Sequence, residues 1–184
     1  MESKLVNRRL YSEKLKRAVK LLMYKRGRAP GAKEWELKAR MGAEYEQVLE
    51  QLNEFLTDLG LEVKRIAKEK VSAASGDEED ARYIIVSKEK TTIDEARMLG
   101  WRIDNLAGLA ITITYIISKQ GKAPRKEIED LLAHKFGKWK AMNLIEAYIR
   151  NAYIDGEELG FLSLGWRTKA EVDLRNLMKL VTEA

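Results

Sequence analysis

The residue types that do most protein chemistry are scarce in this chain. There are no cysteines, so thiolate metal sites, RING fingers, zinc ribbons and disulfides are excluded. His134 is the only histidine, flanked by Ala133 and Lys135, which leaves a nucleophilic triad without an evident base and its orienting partner. No GxxxxGK or GxGxxG run occurs, so no glycine-rich turn leads into a helix to cradle a phosphate. The densest carboxylates, Asp77-Glu78-Glu79-Asp80, follow a Ser, Ala and Gly stretch that reads as a polar loop, where water leaves them ordinary acids. The expectation is a protein that is not an enzyme, with no catalytic residue, no metal and no cofactor.

The chemistry that remains is that of charge. Residues 1–40 hold 13 Lys/Arg against four Asp/Glu, whereas residues 41–81 hold four against 11. Such polarity suits a surface that meets charged macromolecules. One acidic helix, near residues 44–59, carries Glu44, Glu46, Glu50, Glu54 and Asp58 with no Lys or Arg between them, and would be repelled by a phosphate groove. Its counterpart near residues 138–152 carries Lys138, Lys140 and Arg150 around Trp139, with Arg125, Lys126 and Lys135 just before it. Those six cations are the candidate nucleic-acid contacts, phosphate-mediated for the most part; a plain solvated face is the alternative. The N-terminal cluster, including Arg8, Arg9, Lys16 and Arg17, could meet DNA or an acidic partner helix, and partner contact is preferred.

Elements that could position these groups follow from periodicity. The prolines sit in matching settings 94 residues apart, Lys25-Arg26-Gly27-Arg28-Ala29-Pro30 and Lys119-Gln120-Gly121-Lys122-Ala123-Pro124. Each follows a helix of three- and four-residue apolar steps, with Leu15, Val19, Leu22 and Met23 in one case and Leu106, Leu109, Ile113 and Ile116 in the other. The glycine ends the helix, and the proline stops it resuming and opens the next. A short second helix (about 33–41 and 125–135), a third helix (44–59 and 138–152) and strand pairs (61–66 with 82–86, and 153–154 with 160–164) follow in both halves. Three helices and a hairpin make a winged helix-turn-helix. The expected fold class is therefore mainly α with small β-hairpins (α+β), as two tandem winged-helix domains related by internal duplication. Residues 1–90 form the first, with an acidic wing loop, and 91–184 the second, with one C-terminal amphipathic helix over 168–183. Trp101 and Trp166, beside glycines at domain edges, could form a seam between the two.

The layout resembles the MAGE/Nse family of tandem winged-helix subunits, with ScpB and MukE as wider relatives. The likeness rests on Leu15–Lys25, Phe55–Leu61 and Tyr83–Val86 in the first half, and on Leu106–Lys119 and Phe161–Arg167 in the second. The resemblance implies a structural subunit of an SMC-type chromosome-organising complex that holds a kleisin-like partner, works as a homo- or heterodimer, and touches DNA non-specifically. It also sets Leu21 and Leu22 where the family docks a partner, with core burial the preferred reading of both. The competing expectation is a sequence-specific transcription regulator whose second half reads an operator. The longest uncharged run, Asn105–Ser118, is shorter than the roughly 20 residues of a membrane helix, so a cytoplasmic, nucleoid-associated protein with no membrane partner is expected.

Overall fold

In the computed structural model the described residues are 2–24, 30–67, 81–89, 91–156 and 158–182; side chains are described from Ser12 to Lys179 within these ranges, apart from Glu158. The chain divides into two compact units, Met1–Lys90 and Thr91–Ala184. The motif Lys25–Ala29 and the acidic wing loop 72–80 lie outside the described residues.

In the first unit, a long helix α1 (Glu2–Met23) leads to a two-residue strand β1 (Ala32–Lys33), then α2 (Glu34–Met41), α3 (Tyr45–Thr57), β2 (Leu61–Ile66) and β3 (Arg82–Ser87). Its three-stranded antiparallel sheet runs β1-β3-β2, with Ala32 opposite Tyr83 and Val63 opposite Ile85. The second unit opens with α4 (Ile93–Met98) and repeats the order: α5 (Ile103–Ser118), β4 (Lys122–Pro124), α6 (Arg125–Phe136), α7 (Lys138–Arg150), β5 (Ile154–Gly156) and β6 (Phe161–Leu164), its sheet running β4-β6-β5. Both units are thus winged helices of one topology, and the fold is α+β.

Most of the periodic apolar positions are buried or half-buried, but Met23, expected on the same face of α1, is 58% exposed. Ala18 and Leu22 of α1 pack with Leu37, Val48, Leu52 and Tyr83 in one core; Leu109, Ile113 and Ile116 of α5 pack with Ile128, Leu132, Ile145 and Leu162 in the other. Each such fully buried side chain stabilises the fold by roughly 1.5–3 kcal/mol through removal from water. The β-branched and aromatic residues of β3 suit a half-covered pleat, with Tyr83, Ile84 and Val86 buried.

Two expectations need correcting. The prolines are not structurally equivalent. Pro124 closes β4 and immediately precedes α6, whereas Pro30 stands two residues before β1, and the residue just before α2 is Lys33. Measured from the second helix the offset is 91 residues, so Ala32 matches Ala123, both buried. Pro124 sits on the sheet's edge strand, where a missing N–H costs no ladder bond. The second correction concerns the C-terminal segment. It is two helices, α8 (Trp166–Glu171) and α9 (Leu174–Thr182), broken where Val172 turns extended at φ −103°, ψ 127°. Asp173 Oδ1 accepts from Asn176 N–H at 3.1 Å and restarts the helix.

Candidate partner and nucleic-acid surfaces

In the first unit, α1 and α3 lie side by side, tied at one end by Lys14 Nζ to Glu44 Oε2 at 2.9 Å. Between them runs an open apolar cleft of about 740 Å³, lined by Leu15, Val19, Met23, Tyr24, Leu52 and Phe55, with Lys16 and Lys20 also on its α1 side. Met23, Tyr24 and Phe55 are well over half exposed. Large apolar side chains left in water together mark a docking surface more often than scattered single ones do. Exposed Glu50, Glu54 and Asp58 stud α3. The cleft is therefore basic on one wall and acidic along the other helix.

Of the partner residues expected from sequence, Lys16 lies on this cleft and Arg17 is exposed on α1. The side chains of Arg8 and Arg9 lie outside those described. Leu22 is 1% exposed in the core, and Leu21 is half-buried against the same core. The helix phase that places Leu22 inward is the phase that turns Met23 and Tyr24 outward. Trp101 is also accounted for within its own unit, where its ring meets Tyr153 edge-to-face at 5.5 Å; Trp166 is half-buried at the start of α8.

In the second unit, α6 and α7 are joined by Gly137 alone, at φ 84°, which gives the sharp turn of a helix-turn-helix. Lys135 and Lys138 flank that turn, both exposed, and Trp139 is 81% exposed in the first turn of α7. Lys126 and Arg150 are exposed as well. Arg125 and Lys140, expected beside them, are already engaged. Arg125 bridges Glu129 Oε1 and Glu146 Oε1, each at 2.7 Å, and those two carboxylates hold its guanidinium further toward the charged form. Lys140 bonds the Asp104 carboxylate and lies 5.5 Å from the Phe136 ring centre. These two cations are structural: Arg125 is shared between Glu129, one helical turn on, and the distant Glu146, and Lys140 is held by the distant Asp104.

Asp104 is the hub. Its carboxyl takes Lys140 and Arg102, which lower its pKa from 3.8 to about 2. A carboxylate depressed in the folded state supports the fold above its ordinary pKa and loses that support as pH falls through the folded value. The melting-temperature advantage of the wild type over Asp104→Asn should hold from pH 5 upward and shrink between about pH 4 and pH 2. A difference that stays constant across that range, read by thermal melts, would remove Asp104 from the lock. Replacing Lys140 with glutamate would set a carboxylate against Asp104, so Lys135 and Lys138 are the clean positions for testing DNA contact.

Beside the turn, an open cleft of about 810 Å³ is lined by Arg97, Trp101, Arg102, Asp104, Lys135 and Phe136, among others. Sequence reasoning missed Arg97 and Arg102 because they belong to the lead-in to α5, far along the chain from the helix-turn-helix. Among the described residues no group of His, Asp or Glu could hold a metal ion, and no helix is long and apolar enough to cross a membrane.

No family model and no curated protein matches the chain. Among solved structures it is similar to a chain of the "Nse1-Nse3-Nse4 complex", at 16% identity over 94% of this chain and 89% of that one, with a TM-score of 0.60. A match of that coverage takes in both units.

Proposed function

Starting from a fold shared with a chain of the Nse1-Nse3-Nse4 complex, we propose that this protein is a non-enzymatic tandem winged-helix subunit of an SMC-type chromosome-organising assembly. Its first unit holds a kleisin-like protein partner and its second contacts DNA through phosphates. Function resides in surfaces rather than in fold, and one observation carries this reading: the two third helices occupy the same place in one topology and present opposite chemistry. Helix α3 turns Glu46, Glu50, Glu54 and Asp58 to solvent and borders an apolar cleft; α7 turns out Lys138, Trp139 and Arg150, with Lys135 beside them. A tandem DNA reader would keep both helices cationic. The cleft follows α1 from Ser12 to Tyr24, about 18 Å at 1.5 Å per residue, which suits roughly three turns of an amphipathic partner helix.

DNA contact is tested by fluorescence anisotropy with unrelated duplexes. The wild type should bind them with equal affinity, and binding should weaken steeply between about 50 and 200 mM salt as condensed counterions are released. The double variant Lys135→Glu/Lys138→Glu should bind at least about 10-fold more weakly and show a shallower salt slope, by nearly one unit per lost phosphate contact. Preference for one duplex by about a thousandfold would instead support the transcription regulator.

A further inference from the structure

We infer that Trp139 is a stacking platform for an unpaired base, so that the second unit engages single-stranded DNA or RNA, or a duplex end that exposes a strand. This rests on the nucleic-acid reading of the second unit and goes beyond it, because phosphate contact alone is indifferent to strandedness. The indole is 81% exposed, and no described residue covers its ring. It stands at the start of α7 with Lys138 before it and Lys135 across the single-residue turn at Gly137. Neither lysine has an ion-pair partner among the described residues. Lys135 also lines the adjoining cleft with Phe136 and Trp101, beside Arg97 and Arg102, whose guanidiniums are paired with Asp94 and Asp104. The one carboxylate among the cleft's described lining, Asp104, is engaged with Lys140 and Arg102, which leaves Lys135 and Lys138 as the cations beside the indole.

This combination fits a strand better than a duplex. Stacked, paired bases offer a groove only their edges, which are read by hydrogen bonds, and the indole has one N–H donor and no acceptor. An unpaired base offers its π-face, and a base stacked on an aromatic ring flanked by cations is the common device of proteins that track single strands. Met142, 45% exposed one turn further along α7, widens the apolar platform. An exposed indole among acidic residues would point to a protein partner; here its nearest charged neighbours in sequence are Lys138 and Lys140.

The test uses the full chain, labelled oligo(dT) of about 20 nucleotides, and a fully paired duplex of the same length, each titrated at two salt concentrations. Trp139→Ala should weaken oligo(dT) binding by roughly 10-fold or more while leaving duplex binding within about twofold; Trp139→Phe should restore most of the loss. The side chain is exposed, so an unchanged melting temperature is expected and a folding defect would be visible as its loss. Equal loss on both probes, or loss on neither, overturns the inference. If Trp139→Ala binds oligo(dT) normally but abolishes self-association in sedimentation, the indole belongs to a protein interface and the inference also fails. Failure of the wider reading is distinct: the wild type would then bind neither probe, and Lys135→Glu/Lys138→Glu would have nothing to weaken.

Discussion

Gly165→Ala should destabilise the second unit by roughly 3 kcal/mol or more. The added carbon would be driven into the carbonyl oxygen of Ala152 and would lie 2.8 Å from the carbonyl carbons of Ala152 and Tyr153. All three atoms are backbone, so no rotamer change relieves the overlap. The conformation is not at issue, since φ −69°, ψ 160° suits any residue; only space is. The close approach exists because Gly165 N–H donates to Tyr153 O at 2.8 Å and Arg167 N–H to Ala152 O at 3.1 Å, which pin the start of α8 to the chain leaving α7. Thr168 Oγ1, fully buried, adds a third bond to Tyr153 O at 2.6 Å. A loss of that size should lower the thermal midpoint by about 12 °C or more for a unit of this length. A midpoint within about 2 °C of wild type would mean that α8 is not held as described. Gly108→Ala is the informative contrast. Its new carbon would meet Tyr148 Oη at 2.6 Å and Leu144 Cδ1 at 3.1 Å, both side-chain atoms. The tyrosine can yield by giving up its 2.6 Å bond to Asn105 O, so the cost should be the smaller of the two.

The same corner holds Arg167 in place through its neighbours. Arg167 lies over the Tyr153 ring at 4.6 Å and bonds Glu171 Oε1 at 2.5 Å, while Tyr153 Oη donates to Glu171 Oε2 at 2.6 Å. Burial and the Glu171 carboxylate together push the Tyr153 hydroxyl far above its ordinary pKa, so it remains a donor at any physiological pH. Trp101 closes the stack from the lead-in to α5. Arg167, Tyr153, Glu171 and Trp101 thus have a packing role within the second unit.

What the sequence disclosed and what it hid divide along physical lines. Periodic burial is a local property, so α1 and α5 were legible from apolar residues three or four apart, such as Leu15, Val19 and Leu22 in one and Leu109, Ile113 and Ile116 in the other. Strands β1 and β4, two and three residues long, are too short to carry a period and show only as partners of β3 and β6. The proline match misled because turn chemistry recurs wherever a helix must stop, and a recurring turn is not a shared register. Charge was the least legible of all. Arg125 and Lys140 sit among apparent free cations in the chain, yet folding hands them Glu146, 21 residues on, and Asp104, 36 residues back. The cleft between α1 and α3 was half visible: the phase of α1 placed Leu15 and Val19 correctly, but nothing local says that Phe55 of α3 lies across from them.

That cleft carries the prediction with the widest functional reach. Phe55→Glu should cost the first unit its protein partner and leave DNA binding by the second unit unchanged. Phe55 is 64% exposed, so the substitution removes little from the core, and the fold should persist. Within a complex the position differs: a partner helix lying along the cleft would bury the new carboxylate among Leu15, Val19 and Leu52. Covering that carboxylate with a partner's apolar face strips its water, a cost of several kcal/mol that Lys16 and Lys20 on the α1 side offset only in part, so affinity should fall by roughly 100-fold or more. The measurement is co-purification from native extract with mass spectrometry, run beside Lys135→Glu/Lys138→Glu. A kleisin-like polypeptide should accompany the wild type and the lysine variant and be missing from Phe55→Glu, whereas anisotropy with duplex DNA should give the reverse order. The crossed result separates the two surfaces in a way neither variant achieves alone. If Phe55→Glu keeps its partner, the cleft is not the docking surface; if it loses DNA as well, the two units do not divide the work as proposed.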